Sequence, residues 1–330
     1  MRIACDAITV DVPGHRALDR VSVDFASGSI TAVIGPSGAG KSTLLGVLAG
    51  LIAPDAGTVR FDDREVTSLP AEARQLGVVF QELRLFDFLS ARDNVAFAPR
   101  VAGLRPAERV RRVDEALRQV RARDLADRSA RVLSGGERQR IAIARALAAQ
   151  PRALLFDEPF ASLDVELRRN IRDELRELVC ALGLTAIVVT HDRDDAFALA
   201  SQLVVLRGGR VEQAGDAAEL YARPATEAVA TLLGEASFVP VDARQGDVVQ
   251  VAGLTRVATG RGQRALLRPE QLRLEAAGGW PARVVAARFS GAVWRVTLDA
   301  GRLGLLIALV ETPPATDTVS IIPPPTLHTL

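Results

Sequence analysis

The stretch Gly35-Pro36-Ser37-Gly38-Ala39-Gly40-Lys41-Ser42-Thr43 constrains this chain more than any other. Its spacing, G-x-x-x-x-G-K-S, is that of a phosphate-binding loop. The glycines let backbone N–H groups close around the α- and β-phosphates of a nucleotide, the lysine reaches the β/γ oxygens, and the serine hydroxyl ligates Mg²⁺. The loop needs a buried strand before it and a helix after it. Ile30 to Ile34 is an apolar run of the parallel-strand type, and Lys41 to Ala49 reads as a helix ended by Gly50. This commits the first part of the chain to an α/β fold of the P-loop NTPase kind. Lys41 is also the only lysine, the other 40 of the 41 basic residues being arginine. A slot that takes a compact ammonium and has no room for a planar fork accounts for that choice.

The remainder of residues 1–235 alternates short apolar runs with amphipathic segments, as α/β domains do. Strands are expected at Ala153 to Asp157, Thr185 to Thr190 and Leu203 to Arg207. Val110, Val113, Leu117 and Val120 form one helical apolar stripe, and Leu167, Ile171, Leu175, Leu178 and Leu182 another. Both are expected to be core. Arg105 to Arg131 holds nine arginines against five acids, which reads as a solvated helical face. At 330 residues two domains are expected. After about Gly234 the texture becomes strand-like, with glycine and proline turns, as in a small appended β-barrel or sandwich at residues 236–330.

The net charge of +1 gives no footprint for nucleic acid or an anionic surface. Cys5 and Cys180 have no ligand spacing and are expected as free, buried thiols in a reduced compartment. With three histidines, a metal cluster is not expected. The N-terminus lacks an apolar signal core, and Leu303 to Val310 is too short to span a bilayer. The chain is expected to be cytoplasmic and soluble on its own.

Two further stretches carry chemistry. Ala153 to Pro159 is an apolar strand that delivers Asp157 and Glu158 at its carboxyl end, where open α/β sheets bind ligands. Asp157 would hold Mg²⁺ through water together with Ser42, leaving Glu158 to orient and polarise an attacking water. Leu133-Ser134-Gly135-Gly136-Glu137 opens a helix with a hydroxyl and bare amides, an anion site at a positive helix end. A chain with one phosphate loop does not need a second such site for the same nucleotide, so this one is most useful to a nucleotide held by another copy.

Taken together, GPSGAGKST, Gln81, LSGGERQR, LLFDEP, Ser162-Leu163-Asp164 and Thr190-His191-Asp192 resemble the ATP-binding subunits of ATP-binding cassette (ABC) transporters over about residues 1–235. The resemblance implies a head-to-tail dimer with two ATPs, each between one phosphate loop and Ser134, Gly135 and Gly136 of the other subunit. It implies a helical subdomain at about residues 82–140. Gln81 would touch metal and water and relay occupancy to a membrane permease. Asp164 would cross the dimer interface, and His191 would contact the γ-phosphate. An aromatic ring that stacks on adenine in the family falls here on Val12, and His15 is close enough in sequence to substitute.

The tail resembles the oligomer-binding-type (TOBE-like) barrel of importer ATPases, and its length leans toward the ferric iron, polyamine or oxyanion branch. The expectation is an ATPase subunit, with ATP and Mg²⁺ as cofactors, peripheral on the cytoplasmic face of the inner membrane. Its expected partners are a second ATP-binding subunit, a membrane permease and, indirectly, a solute-binding protein, with no nucleic acid. An exporter ATPase and a soluble cassette protein acting on nucleic acid or ribosomes are the alternatives. The separate chain and the tail speak against the first; the single cassette and near-zero charge speak against the second. The apolar groups at Gln81 to Asn94 form either a coupling surface or core.

Overall fold

The computed structural model describes all 330 residues. By packing density the chain divides into Met1–Ala217 and Ala218–Leu330. The first unit contains strands β1 (Ile3–Val12), β2 (His15–Phe25), β3 (Ile30–Ile34), β4 (Ala56–Phe61), β5 (Arg64–Glu65), β6 (Leu76–Val79), β7 (Ala153–Asp157), β8 (Thr185–Thr190), β9 (Gln202–Arg207) and β10 (Arg210–Asp216). Its helices are α1 (Lys41–Ala49), α2 (Ala91–Val101), α3 (Pro106–Gln119), α4 (Gly135–Ala148), α5 (Val165–Leu182) and α6 (Arg193–Leu199).

A six-stranded sheet runs β10-β9-β3-β8-β7-β6, parallel except for its β10 edge. In its centre Ile34 of β3 pairs with Thr190 of β8, and Asp157 of β7 with Val189. The segments leaving β3, β7 and β8 therefore emerge side by side at the carboxyl edge, where such sheets place their ligands. Every residue of β3 and β8 is buried, which explains why their sequences run apolar without alternation.

Helix α1 is apolar nearly all round because its residues share one core with two sheets. Leu44, Leu45, Val47 and Leu48 pack with Ile3, Ile8, Leu18 and Phe25 of the antiparallel sheet β2-β1-β4-β5. The same cluster includes Val33, Leu155, Ile187 and Leu206 of the parallel sheet. A helix between two apolar layers has no solvent face to keep polar.

Helices α2, α3 and α4 cover the segment expected to be helical, with α4 continuing to Ala148. The α3 stripe is core at Val113, Leu117 and Val120, but Val110 is 52% exposed; burial in this helix begins only at Val113. On α5, Ile171 and Leu175 are buried while Leu167, Leu178 and Leu182 are half-buried. Cys5 is buried, and burial raises its thiol to about 12. Cys180 is exposed, because it sits beside buried Val179 on the turn of α5 that faces solvent. The expectation of two buried thiols fails there.

The division falls one residue into the helical turn α7 (Ala217–Ala222), and the second unit continues with α8 (Glu227–Leu233). Its strands are β11 (Ser237–Pro240), β12 (Ala243–Gln245), β13 (Val248–Val251), β14 (Leu254–Gly260), β15 (Arg264–Leu267), β16 (Arg273–Glu275), β17 (Trp280–Phe289), β18 (Trp294–Asp299), β19 (Leu305–Val310), β20 (Thr318–Ile322) and β21 (Thr326–Thr329). They form a six-stranded sheet, β11-β15-β21-β14-β13-β12, and a five-stranded one, β16-β20-β17-β18-β19. Both sheets contribute to one core around Val249, Val251, Leu267, Trp280, Val296 and Leu298. Trp280, 2% exposed, donates its indole N–H across the layers to the Val251 carbonyl at 2.9 Å. The polar tip of a large buried ring is thereby satisfied.

Candidate nucleotide site

The phosphate loop leaves β3 with no room for side chains. A Cβ at Gly35 would stand 2.1 Å from the Leu206 carbonyl oxygen, and one at Gly40, whose φ is +99°, would stand 2.5 Å from the Ala17 oxygen. Only glycine fits either position. Lys41 is 7% exposed and donates through Nζ to the carbonyls of Gly35 at 2.8 Å and Pro36 at 3.0 Å. Burial pulls its ammonium below the ordinary lysine value, against the opposing pull of Glu158 and Asp157. The carbonyls of the loop thus hold its cation in place.

At the end of β7, Asp157 accepts from Ser42 Oγ at 3.0 Å. Burial raises the Asp157 carboxyl, and the Ser42 hydrogen bond opposes it. Glu158 follows with a left-handed backbone, φ +47°, its N–H donating to the Val189 carbonyl of β8 at 2.9 Å. This kink turns the Glu158 side chain out of the strand alternation. Its Oε2 meets Nδ1 of His191, the residue after β8. His15, Ala17, Ser37, Gly38, Gly40, Lys41, Ser42, Thr43 and Glu158 line one open cleft of about 300 Å³.

The expected residues therefore fall into two groups. The phosphate loop, Asp157, Glu158 and His191 converge. Gln81, Asp164 and Ser134 to Gly136 do not line the cleft. Ser134 is the N-cap of α4, where its Oγ accepts from Glu137 N at 3.3 Å and Glu137 Oε2 accepts from Ser134 N at 2.8 Å. The capping box holds Ser134 and Gly135 exposed at the helix end. Asp164 is the N-cap of α5, accepting from Leu167 N at 2.9 Å without a reciprocal bond from Leu167. Val12 is half-buried against the core of the first unit, whereas His15, its cross-strand partner, is exposed and lines the cleft.

Two arrangements around Gln81 carry no motif. Arg145 of α4 forks onto the carbonyls of Leu83 and Arg84, both at 2.6 Å, where two consecutive residues have positive φ. Asn94, fully buried, accepts from Phe86 N at 2.8 Å and donates to the carbonyls of Phe86 and Ser90. Together they shape the segment between Gln81 and α2. Leu83 and Leu85 are core, while Phe88 is 84% exposed beside Phe86, which also packs on Phe97.

Comparison with known proteins decides the family. The spermidine/putrescine import ATP-binding protein PotA of Marinobacter nauticus is 39% identical over 309 residues, covering 88% of this chain and 82% of the relative. The chain belongs to the ATP-binding proteins of ABC transporters. The Fe(3+) ions import ATP-binding protein FbpC of Streptomyces coelicolor is 42% identical over 292 residues, 82% of this chain and 84% of the relative. The ABC transporter family model matches residues 18–161 and the TOBE domain model residues 265–322.

Among solved structures, cbiO1 from Clostridium perfringens, part of the ABC transporter complex cbiONQ, aligns with a TM-score of 0.62. It has 31% identity over 67% of this chain and 90% of its own. A dimeric ATP-binding cassette in a post-hydrolysis state bound to ADP and Pi aligns at 0.57, with 30% identity over 65% of this chain and 98% of its own. As a member of this ABC family the chain binds and hydrolyses ATP, and its fold is the ABC ATPase core followed by a β domain, as the sequence implied. No helix is long and apolar enough to cross a membrane.

Proposed function

We propose that this chain powers solute import by hydrolysing ATP while bound, as a homodimer, to the cytoplasmic face of a membrane permease. The observation that carries the hydrolytic part is the convergence of Lys41, Ser42, Asp157, Glu158 and His191 at the ends of three adjacent parallel strands. Relatives named as import proteins for Fe(3+) and for spermidine/putrescine support the direction of transport and the iron or polyamine branch.

Each residue has work suited to its place. Lys41 exchanges the Gly35 and Pro36 carbonyls for β/γ-phosphate oxygens. The oxygens of Ser42 and Asp157, 3.0 Å apart, are hard donors of the sort Mg²⁺ accepts beside phosphates and waters; the family resemblance alone adds Gln81, which lies outside the cleft lining. Mg²⁺ would supply neutralisation of charge on the phosphate oxygens as the bond to the leaving ADP breaks. Glu158 orients the attacking water and receives its proton. His191, whose Nδ1 meets Glu158, contacts the γ-phosphate and fixes the water. Ser134, Gly135 and Asp164, exposed away from this cleft, and the buried Gly136 beside them serve the partner's nucleotide.

The test is Glu158→Gln. It keeps the shape of the side chain and removes the basic carboxylate, so ATP binding persists, turnover falls and ATP-bound dimers accumulate on size exclusion. Parental turnover in this variant would remove Glu158 from the mechanism. Co-purification of membrane subunits with the chain identifies the permease.

A further inference from the structure

We propose that Arg168 is a positioning residue for hydrolysis, tying the turn after Glu158 to the turn that carries His191. The inference rests on the ATPase reading above and adds to it a residue that belongs to none of the recognised motifs.

Three elements meet on this guanidinium. Its Nε donates to the Phe160 carbonyl at 3.3 Å, two residues beyond Glu158, in a turn where the same carbonyl accepts from Leu163 N at 3.2 Å. Its Nη1 donates to Asp192 Oδ2 at 2.6 Å, one residue beyond His191. The other oxygen of Asp192 is already engaged, accepting from the backbone of Asp194 at 2.8 Å and Asp195 at 3.2 Å as the N-cap of α6. Burial works against the Asp192 charge, but these backbone donors and Arg168 keep its carboxyl below the ordinary value. One turn further along α5, Arg172 stands 3.8 Å from buried Asp195 and holds the same pair of helices together.

The consequence is geometric. Glu158 and His191 leave neighbouring strands whose ends are joined by the Glu158 N–H to Val189 carbonyl bond at 2.9 Å; beyond that bond, the direction each side chain takes depends on the turn that follows it. Arg168 is the one side chain bonded to both turns. It is only about a quarter exposed, 24% against 28% for Asp192, so water and salt screen the link less than a surface pair. It also lies one turn into the helix capped by Asp164. A contact made by Asp164 with a second subunit would reach base and histidine through this residue.

Arg168→Gln is expected to lower kcat by about ten- to a hundredfold, the scale of a small misplacement of reacting groups, with KM for ATP unchanged. Arg168→Lys should recover part of the loss, since an ammonium reaches Asp192 but cannot fork to Phe160. The chain has three histidines, so imidazole NMR resolves each of them. The His191 resonance should move in Arg168→Gln, while that of His328, in the second unit against Thr259 and Pro224, should stay. A role confined to stability would leave kcat and the His191 signal in place and lower only the melting temperature.

If Arg168→Gln fails to fold, Asp192→Asn substitutes for it. Asn keeps the capping oxygen, turns a donor toward Arg168, and should lower kcat in the same direction. Parental kcat with an unmoved His191 signal, or a loss confined to KM, overturns the proposal. An inactive Glu158→Gln beside a fully active Arg168→Gln would refute Arg168 alone, whereas an active Glu158→Gln would refute the assignment of Glu158 as base, on which the positioning role rests.

Discussion

Replacing Arg74 with Met tests how the helix that receives the phosphate loop is held at its far end. Arg74 is 3% exposed. Its guanidinium donates to Val47 at 2.6 Å, Leu48 at 2.9 Å, Thr67 at 2.8 Å and Leu69 at 2.9 Å, all through carbonyl oxygens. Val47 and Leu48 lie in the last turn of α1, whose carbonyls have no intrahelical donors. Removing the fork leaves Val47 with the Gly50 N–H but takes the donor from Leu48, Thr67 and Leu69. At about 1–3 kcal/mol for each unsatisfied buried acceptor the gross loss is roughly 3–9 kcal/mol.

Part of that is returned. Burial holds the Arg74 pKa down without a carboxylate nearby, and an apolar replacement avoids the desolvation cost, so a net loss of about 3 kcal/mol is expected. With a urea slope of about 3 kcal/mol per molar, the midpoint of the first unit should fall by about 1 M. Both tryptophans, Trp280 and Trp294, lie in the second unit. Far-UV circular dichroism should therefore show an early transition while indole fluorescence keeps its parental midpoint. A shift below about 0.3 M, equivalent to about 1 kcal/mol, would refute the clamp.

Ser134→Arg and Lys41→Ala subunits, each inactive alone, should regain ATP hydrolysis when mixed, because one composite site is then intact; verified mixed dimers with no activity count against the trans arrangement. Asp157→Asn should abolish hydrolysis yet flatten the pH dependence of nucleotide-free stability. Burial raises the folded carboxyl above 3.8, so the parent gains stability as pH falls from neutral through the raised value toward 3.8, and Asn removes that slope while still accepting from Ser42. Thermal melts across that range measure it. Phe88→Asp should leave basal ATPase activity intact and reduce recovery of membrane subunits with the chain, measured by affinity purification.

Legibility from sequence followed how locally each feature is determined. Strands Ile30–Ile34, Ala153–Asp157 and Thr185–Thr190 fall where expected, because a strand buried on both faces must be continuously apolar. The phosphate loop is equally local, each glycine answering a steric demand within a few residues. Other features depend on distant partners. Arg74, Arg145 and Arg168 are three among 40 arginines, and only the carbonyls presented by other elements distinguish them from solvated ones.

Strand β21 follows Pro323, Pro324 and Pro325 and was not expected. It is defined by insertion between β14, to which it is parallel, and β15, to which it is antiparallel. The helices from Ala217 to Leu233 carry no change of texture, yet the first division of the fold falls at Ala217, ahead of the β-rich tail. The half-buried residues of α5 show the limit of periodicity, which marks a face but not how much of it a neighbour covers.

The single lysine gives the folded chain an unusual chemical economy. Apart from the amino terminus, which donates to Ser27 Oγ at 2.7 Å, Lys41 is the only primary amine in the sequence. It sits 7% exposed at the floor of the nucleotide cleft. Amine-selective acylation therefore addresses two positions, one of them the site of phosphate contact. The extent of acylation at Lys41, read by mass, becomes a direct measure of how many subunits have nucleotide in place, with no label engineered into the chain.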